Sequence, residues 1–123
     1  FRLLAYVLLD DHFHWLIVPA DSKDYPRIMQ SVKLRFTRRI TNNSNGQKKQ
    51  IWQRRYWDHL IRDQQDLQHH LDYIHYNPVK HQYAVSPETY PWSSFNHYLT
   101  QKKYEKGWGH NIEPVGINNL VPE

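Results

Sequence analysis

Residues 3–18 read LLAYVLLDDHFHWLIV, two apolar runs separated by a pair of aspartates. The first run, residues 3–9, is short, continuous and apolar, which predicts a buried strand. The aspartate pair is typical of a tight turn, so residues 12–18 are expected to return as the antiparallel partner strand. A β-hairpin at the start of the chain therefore decides the fold.

The return strand carries two histidines, His12 and His14, among almost entirely apolar neighbours. Residues i and i+2 of a strand share a face, so the two imidazoles are expected to project side by side. Paired neutral imidazoles can hold a divalent metal once a further ligand joins them. Because the chain has no cysteine, Mg²⁺ or Mn²⁺ is favoured over structural zinc. The alternative is a structural or surface histidine pair that holds no metal.

Helical periodicity follows the hairpin. Residues 25–41 place apolar side chains on one stripe, namely Met29, Val32, Phe36 and Ile40. A polar loop is expected at residues 42–50, and residues 51–61 have the aromatic and apolar content of a strand.

A second helix is predicted over residues 64–77, with Asp63 as its N-cap and Pro78 as its stop. Its core stripe is Leu67, Leu71 and Ile74, and Tyr73 and Asn77 lie off that stripe. A turn and a short helix follow across residues 87–99. Residues 109–123 show no periodicity and are expected to be an irregular C-terminal tail after a catalytic domain at residues 1–108.

Tyr73 and Asn77 are four residues apart, so they share a face of the predicted helix. A phenol is a weak nucleophile at its usual pKa of about 10 and needs a metal-polarised phosphate or a nearby base. The Asn77 side-chain oxygen can complete a metal site with the two histidines. This combination suggests cleavage of single-stranded DNA through a covalent phosphotyrosine, with Tyr76 as the rival nucleophile.

The composition is compatible with a nucleic-acid partner. The chain has 123 residues, a formal charge of +4, nine Tyr and five Trp, and arginines beside aromatic rings suit phosphates and unpaired bases. We expect single-stranded or hairpin DNA as the partner, a cytoplasmic, nucleoid-associated location and no membrane association. The predicted nucleic-acid-binding residues are basic side chains near these aromatic and helical segments: Lys33, Arg35, Arg38, Arg54, Arg55 and Lys80.

Four segments together resemble the HUH single-tyrosine transposases, and within them the subgroup associated with repetitive extragenic palindromes (REP). They are residues 5–16 (AYVLLDDHFHWL), 52–63 (WQRRYWDHLIRD), 72–81 (DYIHYNPVKH) and 91–95 (PWSSF). The tyrosine-to-asparagine block with its trailing Pro-Val is the more specific of these motifs. The likeness covers residues 3–108, in order and with suitable spacing.

The resemblance implies an α+β fold, an antiparallel sheet with helices packed on one side in a ferredoxin-like or RRM-like arrangement. It implies His12, His14 and Asn77 as metal ligands and Tyr73 as the nucleophile. The implied reaction leaves a 5′-phosphotyrosine and a free 3′-OH on single-stranded DNA near a hairpin, in a protein that acts as a monomer or homodimer. The chain departs from the family in two ways: a strand and a helix expected before residue 1 are missing, and Asp10 replaces a common proline.

Two other functions stay open on the sequence alone. One is a non-catalytic hairpin-binding protein derived from a transposase. The other is a nickase of the relaxase or replication-initiator type, which tends to carry a third histidine or paired tyrosines.

Overall fold

The computed structural model describes residues 1–43, 57–110, 112–118 and 120–121. Two strands, β1 (Arg2–Leu8) and β2 (Phe13–Val18), form a two-stranded antiparallel sheet. Three α-helices follow, α1 (Tyr25–Asn43), α2 (Gln64–Lys80) and α3 (Phe95–Thr100), with short 3-10 turns at Ser22–Asp24 and Pro87–Thr89. The predicted α+β class is confirmed.

The described chain forms two compact units. One contains Phe1 and Val18–Asp58, and the other contains Arg2–Ile17 and His59–Glu123. In the first unit, Met29 of α1 is buried as predicted, but Phe36 is 46% exposed, so the predicted stripe is wrong at that position. Phe36 lines an open surface groove together with Val32, Arg35 and Arg39, and Leu34 of the same helix is also exposed.

The second unit is built on the contact between β1 and α2. Ala5 and Val7 alternate along β1 and pack on Ile74 of α2, with half-buried apolar side chains around them. The prediction that the whole apolar run is buried is wrong, because Leu3 and Leu8 are each 46% exposed. Leu8 projects to the face opposite Ala5 and Val7, which α2 does not cover. Leu3 shares their face but lies at the start of β1, next to exposed Arg2.

The segment before α3 extends the strand pairing of β1. Val7 bridges Ser93 in antiparallel fashion, the Leu8 N–H donates to the Trp92 carbonyl oxygen at 2.8 Å, and the Ser94 N–H donates to the Tyr6 carbonyl oxygen at 3.0 Å. These bonds use backbone groups that the hairpin leaves at the edge of β1. The helix that follows is thereby fixed against the strand.

Two predictions of element boundaries are wrong. Residues 57–61 form no strand, while residues 51–56 of the same predicted strand lie outside the described residues. Helix α2 continues through Pro78 to Lys80. Pro78 falls in the last turn, where its missing N–H removes one backbone hydrogen bond, and the helix ends two residues later.

Asp63 caps α2 as predicted, because its side chain accepts a hydrogen bond from the Asp66 N–H at 2.8 Å. Among the described residues, no helix combines the length and apolarity needed to cross a lipid bilayer.

Candidate active site

The hairpin places the two predicted imidazoles side by side. The ring centroids of His12 and His14 are 5.1 Å apart with the rings perpendicular. His12 precedes β2 directly and His14 is its second residue, so both side chains leave the strand on one face. The arrangement can offer two nitrogen ligands to one ion.

Asp11 fixes the orientation of the first imidazole. Its Oδ1 atom lies 2.7 Å from Nδ1 of His12, and this hydrogen bond lowers the pKa of the Asp11 carboxyl. When Nδ1–H donates to the carboxylate, Nε2 carries the lone pair. A carboxylate behind a histidine is the usual way in which proteins orient a metal-binding imidazole.

Helix α2 brings Tyr73 to the hairpin. The rings of His14 and Tyr73 meet edge-on, with centroids 5.2 Å apart. Asn77 lies one helical turn later, and its side-chain Oδ1 is shielded from water. The structure therefore brings His14 and Tyr73 into contact and places Asn77 on the same helix face.

Tyr73 lies off the predicted stripe, in a different hydrophobic cluster from Leu71 and Ile74, yet both Tyr73 and Asn77 are buried. Tyr73 is 1% exposed and Asn77 is 0% exposed. All six residues from Tyr73 to Pro78 are buried, so the core face of α2 is wider than the predicted leucine–isoleucine stripe. Periodicity missed this because the extra buried residues are polar or aromatic.

The C-terminal segment supplies the cover over the tyrosine. Ile117 and Val121 pack with Tyr73 and Tyr76 in one hydrophobic cluster. At Gly116, which has a φ of +86°, a Cβ atom would lie 2.5 Å from Nε2 of His69 on α2. The described part of the irregular tail is thus seated closely on the helix that carries the tyrosines.

Two further side chains at the end of α2 border the site. The Lys80 Nζ atom lies 5.0 Å from the centre of the Tyr73 ring. The His81 ring contacts that of His12 at 5.6 Å between centroids. Lys80 was predicted as a DNA contact, and its exposed ammonium lies beside the candidate nucleophile.

Tyr76, the rival nucleophile, packs against the C-terminal segment. Its ring meets Trp108 at 6.5 Å between centroids, and burial raises the pKa of its phenol. Tyr76 also belongs to the hydrophobic cluster that contains Tyr73, Ile117 and Val121.

A second cluster, missed by sequence reasoning, lies where α2 begins. The ligand atoms of His59, Asp66 and His70 all lie within 4.8 Å of one another, a spacing that could hold a metal ion. The His59 Nε2 atom is 2.7 Å from Asp66 Oδ2, and the His59 and His70 rings stack at 4.7 Å. This contact with His59 holds the pKa of the Asp66 carboxyl well below its usual range. The spacing of Asp66 and His70 on one helix face was the signal available in the sequence.

The remaining predicted DNA contacts do not all fall in the described site. Arg54 and Arg55 lie outside the described residues. Lys33, Arg35 and Arg38 belong to α1 in the other compact unit, where Arg35 and Arg38 are exposed and Lys33 is half-buried.

A hairpin with paired imidazoles beside a helix with a tyrosine and an asparagine is the arrangement expected of a single-tyrosine DNA transposase. The family model described as "Transposase IS200 like" matches residues 1–77. The chain therefore belongs to the IS200-like transposase family, and within it to the REP-associated tyrosine transposases.

Individual relatives agree with that assignment. A Haemophilus influenzae protein assigned to the REP-associated tyrosine transposases is 42% identical over 120 residues, which span 90% of this chain and 68% of the relative. The REP-associated tyrosine transposase of Escherichia coli is 32% identical over 122 residues, 98% of this chain and 70% of the relative. A solved structure of a REP-associated tyrosine transposase bound to a REP hairpin superimposes with a TM-score of 0.73. It is 30% identical and is matched over 94% of this chain and 67% of its own.

Proposed function

We propose that this protein cleaves and rejoins single-stranded DNA beside a hairpin, with Tyr73 as the nucleophile and a divalent metal held by His12, His14 and Asn77. The observation that carries the proposal is the edge-on contact between the His14 and Tyr73 rings. It brings a candidate metal ligand and a candidate nucleophile together from the two separate sequence segments of the compact unit. The solved relative is bound to a REP hairpin, and we propose hairpin DNA of this kind as the substrate class of this chain.

The residues fit a Mg²⁺ or Mn²⁺ ion. Two imidazole nitrogens and an amide oxygen suit these hard or borderline cations better than soft ones. Asp11 holds His12 so that Nε2 faces away from the carboxylate, and the Asn77 Oδ1 atom lies in a water-shielded position. When bound, such a metal would polarise the scissile phosphate and neutralise charge in the transition state.

The chain's own residues carry the covalent step. The Tyr73 phenolic oxygen attacks the phosphorus, the bond from phosphorus to the 3′ oxygen breaks, and the phenolic proton ends on that oxygen as a 3′-OH. The product is a 5′-phosphotyrosine, and attack on it by a 3′-OH reverses the bonds and rejoins DNA without another energy source. The Lys80 ammonium supplies positive charge close to the reacting tyrosine.

The test is a denaturing gel of single-stranded hairpin DNA labelled 3′ of the expected cut, incubated with the protein and Mn²⁺. We expect a protein-linked band in wild type and in Tyr76→Phe, and none in Tyr73→Phe. Hairpin binding by Tyr73→Phe, measured in parallel, controls for folding. A band that persists in Tyr73→Phe and disappears in Tyr76→Phe would move the nucleophile to Tyr76. No band from any protein that binds the hairpin would leave a non-catalytic hairpin-binding function.

A further inference from the structure

A continuous chain of hydrogen bonds crosses the interior beside the site. The Tyr6 N–H lies 3.0 Å from Ser94 Oγ, which lies 2.8 Å from Nε2 of His75. On the other side of the ring, Nδ1 lies 2.9 Å from the Tyr104 hydroxyl, which donates to Asp72 Oδ1 at 3.1 Å. We call these five residues, Tyr6, Ser94, His75, Tyr104 and Asp72, the His75 chain.

The two ends of the His75 chain set the direction of every proton in it. A backbone N–H can only donate, and a carboxylate can only accept. The Tyr104 hydroxyl therefore accepts from Nδ1–H, and Nε2 of His75 accepts from the Ser94 hydroxyl. The Ser94 hydroxyl has two acceptors within reach, Nε2 of His75 at 2.8 Å and the Tyr6 carbonyl oxygen at 3.3 Å, and Nε2 is the nearer.

His75 is neutral in this arrangement, as its surroundings require. The side chain is fully buried, and burial lowers its pKa to about 3. Both ring nitrogens have hydrogen-bond partners, which a buried imidazole needs to offset its desolvation.

The His75 chain connects the two parts of the candidate site. His75 is in α2, two residues after Tyr73, whereas Tyr6 is in β1, the strand paired with β2 and hence with His14. Two residues along a helix turn the side chain by about 200°, so His75 points to the side opposite Tyr73. It can affect the reaction only by fixing the position of the helix.

Apolar packing would hold α2 against β1 without selecting one register, because hydrophobic contacts are not directional. Hydrogen bonds of fixed length and direction select one arrangement, provided that every member of the network is satisfied. Tyr104 is held in place by its ring contacts with Trp108 and Phe95, at 4.6 and 5.0 Å between centroids. The His75 chain therefore fixes the position of α2 along β1, which the apolar contact between them would leave undetermined.

We propose that His75 is a positioning residue, which acts through Ser94 and Tyr6 to set the register of α2 against the hairpin and hence the placement of Tyr73 beside His14. This inference rests on the proposed function for its consequence in catalysis. Misplacement of a reacting group by about 1 Å can lower a rate by about a hundredfold. The register of α2 is therefore expected to determine the rate of adduct formation and not the affinity for hairpin DNA.

The main test compares two adjacent buried serines in the full chain. Ser94→Ala removes the link between β1 and His75. Ser93→Ala instead removes a hydroxyl that accepts a hydrogen bond from the Phe95 N–H at 3.1 Å. The first readout is the nuclear Overhauser effect between the His14 and Tyr73 rings in metal-free protein. The second is the rate of covalent adduct formation with Mn²⁺ at saturating hairpin DNA.

We expect Ser94→Ala to weaken the ring-to-ring effect and slow the adduct at least about tenfold, with hairpin affinity unchanged. Ser93→Ala keeps both readouts. The inference is overturned if both variants behave alike, or if Ser94→Ala keeps the ring contact and the wild-type rate.

A second pair of variants covers the case in which Ser94→Ala does not fold. A glutamine amide reaches the position of Nε2 and keeps the Ser94 link, whereas an asparagine amide reaches only that of Nδ1. His75→Gln is therefore expected to retain the ring contact and His75→Asn to lose it, and the reverse order would contradict the inference. Should wild type form no adduct while the ring contact follows these expectations, the proposed function fails and the positioning role stands.

Discussion

His14 on β2 and Tyr73 on α2 meet edge-on with ring centroids 5.2 Å apart. The contact joins a strand near the start of the chain to a helix beyond its middle. An edge-on aromatic pair of this kind contributes about 0.5–1.5 kcal/mol beyond its buried area. The same contact that helps to hold α2 in place therefore also brings the candidate ligand and nucleophile together.

Metal binding should depend on the hairpin histidines. We expect Mn²⁺ at a hundred times its dissociation constant to stabilise wild type by ~2.7 kcal/mol, and His12→Ala with His14→Ala to abolish that gain. The matched control is His59→Gln with His70→Gln, which alters the second cluster and should leave the stabilisation by Mn²⁺ unchanged. Thermal melting with and without Mn²⁺ measures both, and the opposite pattern would place the ion at the His59–Asp66–His70 cluster.

Asp11 should tune that site without being part of it. Asp11→Asn removes the carboxylate that orients His12, so Mn²⁺ affinity is expected to fall about 10–100-fold. The neighbouring Asp10→Asn changes the same charge in the same turn and serves as the control. Calorimetric titration with Mn²⁺ measures the affinities of the two variants. Equal losses of affinity would show that the negative charge of the turn matters and the hydrogen bond to His12 does not.

The cover over Tyr73 should limit its reactivity. Gly116→Ala would drive a Cβ into the His69 ring, whereas Gly107→Ala meets nothing within 4 Å, and both glycines have positive φ. Each substitution costs about 1–2 kcal/mol in backbone strain, so the pair isolates the steric effect. We expect faster adduct formation per folded molecule in Gly116→Ala only, and equal rates would show that the C-terminal segment does not restrict access.

Acid should destabilise the protein through His75. Its pKa is about 3 when folded and about 6.5 when unfolded. Between these values the unfolded state binds more protons, so the free energy of unfolding falls as the pH drops from 6.5 toward 3. The fall should amount to a few kcal/mol in urea titrations and should shrink in His75→Gln. The exposed His97→Gln should match wild type.

Lys80 should contribute to DNA binding through charge. Lys80→Gln is expected to weaken hairpin binding and to lower the slope of log affinity against log salt by about 1, the change that one phosphate contact produces. Lys103→Gln removes another exposed lysine, on the loop after α3, as the comparison. Binding isotherms at several salt concentrations measure the slopes, and an unchanged slope for Lys80→Gln would remove it from the interface.

The sequence pattern predicted those features that depend on neighbouring residues along the chain. Strand alternation anticipated the hairpin and the adjacency of His12 and His14, and a capping aspartate marked the start of α2. The burial of Tyr73 was not predictable in this way, because it depends on Ile117 and Val121, which lie in a segment without periodicity.

Nor did the sequence reveal the second histidine cluster or the His75 chain. Both depend on side chains that become neighbours only when the helix packs. His59 reaches Asp66 across the turn before α2, and Ser94 reaches His75 from the segment that pairs with β1. The i,i+4 spacing of Asp66 and His70 is visible in the sequence, but the contacts made by His59 and Ser94 leave no periodic trace.

The compact unit that carries the candidate site is discontinuous in sequence, since Val18–Asp58 lies between its two parts and belongs to the other unit. When the two parts of this unit fold together, the ends of the intervening segment are brought close to each other, as in the closure of a loop. The entropy of closure rises only with the logarithm of loop length, by about 0.6 kcal/mol for each doubling. The closure term for the unit that holds His14 and Tyr73 therefore depends only weakly on the length of Val18–Asp58, and doubling that length would change it by about 0.6 kcal/mol.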